Sequence, residues 1–167
     1  GLIVANSHKK TAIHLQNIPF LPADAINEDS IIYDKLTTFQ WEKVNKLPTE
    51  KIFKAPNIIL WKNIGEKRLP IFYNQVDFSF RHQIIGVKGT DKELKDIVAN
   101  MNLYSDFYRF YIFVTSGYLL INRNTYILKN DYMQLRYINE NVEDYFSDFD
   151  KNVISDVNNY FQLIYRN

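Results

Sequence analysis

The chain contains no cysteine, and its 167 residues include only five glycines and five prolines. The lack of cysteine excludes disulfides and thiolate metal sites, and it makes the cytoplasm the simplest compartment. The apolar runs are much shorter than the roughly 20 residues that span a bilayer, so we expect no membrane partner. Because the chain starts with Gly1 and not with Met, we expect either a piece excised from a longer protein or a residue left by a removed tag.

The same scarcities argue against several catalytic chemistries. The glycines have the spacing of neither a P-loop nor a dinucleotide fingerprint, and three histidines without a ligand pair at helical spacing do not predict zinc. Asp77 together with Glu93-Leu94-Lys95 resembles the pattern of metal-dependent nucleases, in which two carboxylates hold a divalent cation. A helix-capping role explains Glu93 better. We therefore expect neither a catalytic residue nor a metal in this chain, and a nuclease is the third function considered.

Aromatic and charged residues are abundant. Phe, Tyr and Trp make up 16% of the chain, and 46% of the residues are hydrophobic, which is enough for a core. The net charge of +1 is unevenly distributed: residues 51–136 hold 13 Lys and Arg against 7 Asp and Glu, whereas the rest holds 7 against 12. A basic middle between acidic ends fits a block that faces a polyanion, although solvated surface charge would look the same.

The hydrophobic pattern predicts an α+β fold in a single domain. Residues 1–50 are interrupted by three prolines and form an irregular lead-in with a short helix between Ser30 and Lys46. Strands are predicted at 58–61, at 76–81, where Val76, Phe78 and Phe80 alternate with polar residues, and at 84–87. We expect Gly86 and Gly89 to end the last strand with positive φ.

The second half of the chain is predicted to be mainly helical. Thr90 and Glu93 have the spacing of a capping box, which starts one helix, and a second runs from Ser105 to Ser116 with Gly117 as its cap. An aromatic stripe that includes Tyr108 favours burial of the second helix over a stacking platform. A strand at 118–121 and helices at 142–165 complete a small mixed sheet packed with two central helices and C-terminal helices. The core of this domain is expected at residues 51–138, and the C-terminal helical segment at residues 139–167.

Short motifs follow one another in a particular order between residues 56 and 138. They are Pro56 to Trp61, Arg68-Leu69, Phe72-Tyr73, Asp77 to Phe80, Ile84 to Gly89, Met101 to Leu103, Tyr108 to Gly117 and Ile121 to Arg123. This order resembles the target-recognition region of adenine-specific N-6 DNA methyltransferases from restriction–modification systems.

The resemblance implies a parent enzyme that flips an adenine out of the duplex and methylates it. The chain lacks the glycine-rich donor loop and the Asn/Asp-Pro-Pro-aromatic motif of such enzymes. S-adenosylmethionine is therefore expected in a catalytic domain of the same parent chain, and the implied compartment is the bacterial cytoplasm.

The implied role of this chain is to bind double-stranded DNA and read its sequence. Lys and Arg would hold phosphates, and Arg, Asn and Gln would discriminate bases. The candidate DNA-binding residues are Lys62, Lys67, Arg68, Arg81, His82, Gln83, Asn122, Arg123 and Asn124.

Plainer interpretations stand beside each candidate. The basic turn at Gly65 is also typical of an ordinary hairpin, His82 could simply bond to the backbone, and Asn-rich turns are common for backbone reasons. The main alternative function is a protein–protein interaction domain that docks through the apolar stripe from Val153 to Ile164.

Overall fold

A computed structural model describes residues 1–3, 10–65, 67–117, 119, 126–138, 152, 153, 155–157 and 159. Within them the strands are β1 (Lys10–Thr11), β2 (Pro19–Leu21), β3 (Thr37–Thr38), β4 (Lys43–Val44), β5 (Asn57–Trp61), β6 (Ile71–Asn74), β7 (Ser79–Phe80) and β8 (Ile84–Val87). The α-helices are α1 (Asp91–Leu103), α2 (Ser105–Thr115) and α3 (Lys129–Met133), and 3-10 helices span Ile13–Asn17, Ala23–Ala25, Tyr33–Lys35 and Glu50–Phe53. The predicted α+β class is confirmed.

The central element is an antiparallel sheet in the order β6-β5-β8. Successive side chains of β5 point to opposite faces, and both faces are covered, so Ile58, Ile59 and Leu60 are all buried. This explains the continuous apolar run at 58–61, because a strand buried on both sides does not alternate. The predicted strands at 58–61 and 84–87 are confirmed.

Each face of the sheet supports a separate core. Ile59 lies in a first core with the N-terminal half of the chain, where β2 pairs in parallel with β7 and antiparallel with β3. Ile58 and Leu60 lie in a second core with the helices. The lead-in at 1–50 therefore forms one of the two layers that enclose the sheet.

Helix α1 starts at the predicted capping box. The Glu93 amide donates to the Thr90 hydroxyl over 3.3 Å, and the Glu93 carboxylate accepts from the Thr90 amide over 2.8 Å. The helix packs across β5 and β6, and α2 follows it directly. Tyr108 and Ile112 of the aromatic stripe are buried in the second core, as predicted.

A polar clamp ties α1 and α2 to the segment that follows α3. The buried Asn100 amide donates to the Ile138 carbonyl over 2.7 Å, and its Oδ1 lies 2.7 Å from the Tyr108 hydroxyl. The same hydroxyl donates to the Arg136 carbonyl over 2.9 Å. These bonds hold residues 136–138 against the helices.

Several local predictions are wrong. The helix expected between Ser30 and Lys46 does not form, because β3 and β4 pair with other strands and only Tyr33–Lys35 turns as a 3-10 helix. The strand expected at 76–81 is reduced to β7. Val76 lies outside it because its N–H donates to the Asn74 side chain in a turn.

The glycines also differ from expectation, since none has positive φ. Gly86 is required instead by close packing: an added Cβ would lie 2.6 Å from Ile52 Cγ1 and 2.8 Å from Phe80 Cζ. Gly117 is not a left-handed cap, and α2 ends at Ser116 in an extended conformation.

The C-terminal predictions are only partly covered by the described residues. The strand predicted at 118–121 lies outside them apart from Leu119, and that one position is helical instead of extended. Every described position between 152 and 159 is helical, as expected for that part of 142–165. Among the described residues no helix is long and apolar enough to cross a membrane.

Candidate nucleic-acid interface

The end of β5 collects backbone segments that are far apart in sequence. The Lys62 N–H donates to the Gln83 carbonyl over 2.9 Å, and the Ile127 N–H donates to the Lys62 carbonyl over 2.6 Å. A bridge between Asn63 and Tyr126 extends the second pairing. Residues 62–63, 83 and 126–127 therefore lie side by side beyond the sheet.

A short extended segment at Leu2 and Ile3 lies beside these backbone segments and pairs with two others. The Ile3 N–H donates to the Lys46 carbonyl over 3.1 Å, and the His82 N–H donates to the Leu2 carbonyl over 2.8 Å. Leu2 also bridges Arg81 in parallel. Lys46 and the turn at 81–83 are therefore separated by one strand only.

These pairings bring Lys62 and the turn at 81–83, which were predicted, together with Lys46, which was not. Lys129, also not predicted, follows two residues after the paired Ile127. We call this set the basic rim, and its members are Lys46, Lys62, Arg81, His82, Gln83 and Lys129.

Mutual repulsion within the basic rim shows in the pKa values. Burial, together with the charge of Lys46, lowers the pKa of the Lys62 ammonium group. Burial, together with the charges of Lys62 and Arg81, lowers the pKa of His82, which is therefore neutral at pH 7. These side chains are close enough to one another to disfavour each other's positive charge.

Lys129, the first residue of α3, belongs to the same group. Burial, together with the charges of Lys62, Lys46 and Lys129, lowers the pKa of the Gly1 amino group to about 5. Among the described residues, no carboxylate lies within 4.0 Å of a cationic group of the basic rim. The cations have no counter-ion from this part of the chain.

Three buried polar atoms at the basic rim have no hydrogen-bond partner among the described residues. They are Arg81 Nε, His82 Nδ1 and Asn63 Oδ1. A buried donor or acceptor without a partner costs free energy, so a ligand or water that reached Arg81 and His82 would be stabilised by these atoms.

Two further predicted cations, Lys67 and Arg68, lie on a turn with different surroundings. The Lys67 N–H donates to Glu28 Oε2 over 3.0 Å, and Arg68 Nη2 lies 3.4 Å from Asn102 Oδ1. Gly65 is needed in this turn because an added Cβ would collide with the backbone carbonyl oxygen of Arg68. Lys67 and Arg68 therefore stand beside a carboxylate, which lowers the positive potential there.

Asn122, Arg123 and Asn124 lie outside the described residues. Of the C-terminal docking stripe, Val153 is 42% exposed and Val157 packs against the second core.

Lys46 and Lys129 had no sequence signal, because only pairing across more than 40 residues brings them to Ile3 and Lys62.

The carboxylates of the nuclease-like pattern serve local structure. Asp77 Oδ1 accepts from the Ala55 N–H over 2.7 Å, its Oδ2 lies 3.2 Å from Lys54 Nζ, and Glu93 caps α1. No group of three or more His, Cys, Asp or Glu suited to a metal occurs in the described ranges.

The basic rim as a whole can attract and hold anions. Neither a protein-family model, nor a curated protein, nor a solved structure matches this chain.

Proposed function

We propose that this chain is a non-catalytic DNA-recognition domain and a fragment of a larger adenine-specific DNA methyltransferase. Its partners would be duplex DNA and the catalytic domain of the same parent, which would bind S-adenosylmethionine in the bacterial cytoplasm. The observation that carries the DNA-binding part is the basic rim, in which cations gather without a counter-ion from the described residues.

Binding of phosphates would remove the repulsion within the basic rim. The charge of Lys46 disfavours that of Lys62, and a phosphate placed between the two would replace repulsion by attraction. Because Lys46, Lys62 and Arg81 stand on paired backbone segments, little loop entropy is lost when DNA binds.

Base discrimination would come from the turn between β7 and β8. Gln83 can bond an adenine edge and Arg81 a guanine edge in the major groove. Both are half-buried and flank the unpartnered Nδ1 of His82. The phosphate contacts of the lysines would then set the register in which the turn reads the bases.

The proposal is tested by fluorescence anisotropy of a labelled duplex over a series of salt concentrations. A Lys46→Gln/Lys62→Gln double variant should weaken binding and reduce the salt slope by about 2, since each phosphate contact contributes roughly 0.9. A Lys51→Gln/Lys92→Gln variant is the matched control, because it removes two exposed cations that lie away from the basic rim. Unfolding curves of all variants verify the fold.

Equal losses in both double variants would point to general charge attraction instead of the basic rim. A parent chain that does not bind the duplex even at low salt would contradict the proposal outright. A Lys67→Ala/Arg68→Ala variant should weaken binding less than the rim variant, because Glu28 already offsets the charge of that turn.

The link to methylation has a separate test in the gene. The sequence upstream of Gly1 should encode a glycine-rich donor loop and an Asn/Asp-Pro-Pro-aromatic motif. Finding neither would remove the methyltransferase and leave the DNA-binding result unaffected.

A further inference from the structure

An apolar cavity of about 240 Å³ lies between the central sheet and the helical layer. Its floor is formed by Ile58 and Leu60 of β5, Ile71 of β6 and Met101 of α1, all of which are buried. It is larger than the cavity of about 150 Å³ that binds benzene in an apolar protein core. The volume is therefore sufficient for a small organic ligand.

The cavity is unsuited to water. Its buried hydroxyls are already bonded: that of Tyr108 to the Arg136 carbonyl, and that of Tyr132 to the Trp61 carbonyl over 2.8 Å. A buried water needs two to four polar partners, and the remaining floor offers aliphatic carbon. An apolar group would give up no hydrogen bonds on entering the cavity.

The mouth of the cavity has a positive charge. Its lining includes Lys129, Met133, Arg136 and Tyr137, which are exposed. Within the part of the chain that the structure describes, Lys129 and Arg136 are the only charged residues of the lining. The nearest acid in sequence, Asp131, is engaged elsewhere, because its Oδ2 accepts from the Leu128 N–H over 2.8 Å and from the Ser116 hydroxyl over 3.0 Å. An apolar interior with two cations at its entrance suits a ligand with an apolar body and an anionic end.

We propose that this cavity binds a small apolar carboxylate, such as a medium-chain alkyl or aryl acid, with its carboxylate between Lys129 and Arg136. A nucleobase fits less well, because its polar edges would meet aliphatic side chains without hydrogen bonds. This proposal does not rest on the proposed DNA function, although Lys129 belongs to both the cavity and the basic rim.

The two methionines of the chain provide a direct probe, since both Met101 and Met133 line the cavity. A ¹³C-methyl-methionine NMR spectrum of the full chain, recorded without DNA, should give two signals. Both should shift and saturate as octanoate is added. 1-Octanol, which has the same chain length and no charge, should bind about tenfold more weakly, as expected from the loss of two solvent-exposed ion pairs.

Two charge variants separate the anion contact from the apolar one. Lys129→Gln/Arg136→Gln should bind octanoate no better than octanol, whereas the control Lys43→Gln/Lys92→Gln should retain the tenfold preference. The proposal is overturned if neither methionine signal moves up to the solubility limit of octanoate, or if octanol binds as tightly as octanoate to the parent chain. It is also overturned if deoxyadenosine monophosphate shifts both signals and octanoate does not, which would assign the cavity to a nucleotide.

Discussion

Replacement of Asn100 by Leu should destabilise the fold strongly for a residue outside the apolar core. The side chain is 8% exposed, donates to the Ile138 carbonyl over 2.7 Å and has its Oδ1 2.7 Å from the Tyr108 hydroxyl. The bond to Ile138 contributes about 1 kcal/mol, and the buried carbonyl that loses its donor costs a further ~1–2 kcal/mol, whereas the Tyr108 hydroxyl keeps the Arg136 carbonyl as its acceptor. The better helix propensity of Leu recovers a few tenths of a kcal/mol. We therefore expect a loss of about 2–3 kcal/mol.

Urea unfolding followed by tryptophan fluorescence measures this loss, because Trp41 and Trp61 pack against the first core and report on cooperative unfolding of the domain as a whole. The midpoint should fall with an unchanged m-value, and Tm should drop by roughly 5–10 °C for a chain of this size. Asn102→Leu makes the same chemical change two residues further along α1 at an exposed position, and it should remain within about 0.5 kcal/mol of the parent. If both variants were equally stable, the clamp would contribute nothing and the reasoning would be refuted.

Three further changes test single features. Thr90→Ala should cost about 1 kcal/mol through loss of the cap while Thr90→Ser retains it, and equal melting temperatures for the two would argue against the capping box. Gly86→Ala should cost about 1–3 kcal/mol because the new Cβ would lie 2.6 Å from Ile52 Cγ1; a fully stable variant would show that Ile52 can move away. Burial lowers the pKa of His82 below its usual 6.5, so the folded state binds fewer protons than the unfolded state. Stability should therefore fall as pH decreases from about 7 to 5. His82→Gln should reduce that slope without abolishing it, because the Gly1 amino group, whose pKa is lowered to about 5, titrates in the same range; an undiminished slope in the variant would show that His82 does not contribute.

The features that were predicted correctly depend on neighbours in sequence. The capping box needs only Thr90 and Glu93 at the right spacing, and the helix behind it needs a repeating apolar face. The strand at 58–61 follows from a short apolar run beyond Pro56. Local signals of this kind persist in the fold because nothing in the tertiary structure competes with them.

The wrong predictions arise where distant pairing overrides a local pattern. Ile31 bridges Ile26 and Thr37 pairs with Phe20, so an apolar spacing typical of a helix becomes a series of short extended segments. Val76 has the period of a strand, yet the Asn74 side chain takes its N–H into a turn. Gly86 was expected to have a special backbone conformation and instead makes room for Ile52.

The candidate site was predicted in part for the same reason. Arg81, His82 and Gln83 were found because they end an apolar strand, and strand ends carry polar functional residues. Their relation to Lys46 and Lys129 depends on the pairing of Leu2 and Ile3, which no local pattern indicates.

Burial of both faces of the central sheet explains why the basic rim is located where it is. β5 is covered by the first core on one side and by the second on the other, so its faces cannot present side chains to a large ligand. Only the strand ends and their connecting turns remain accessible. At the end beyond Trp61, the backbone of Lys62 is hydrogen-bonded to the turn at 81–83. A shift of either core would therefore move Lys62 and this turn together. A DNA ligand at the basic rim would thus be held by a surface that is as rigid as the two cores behind it.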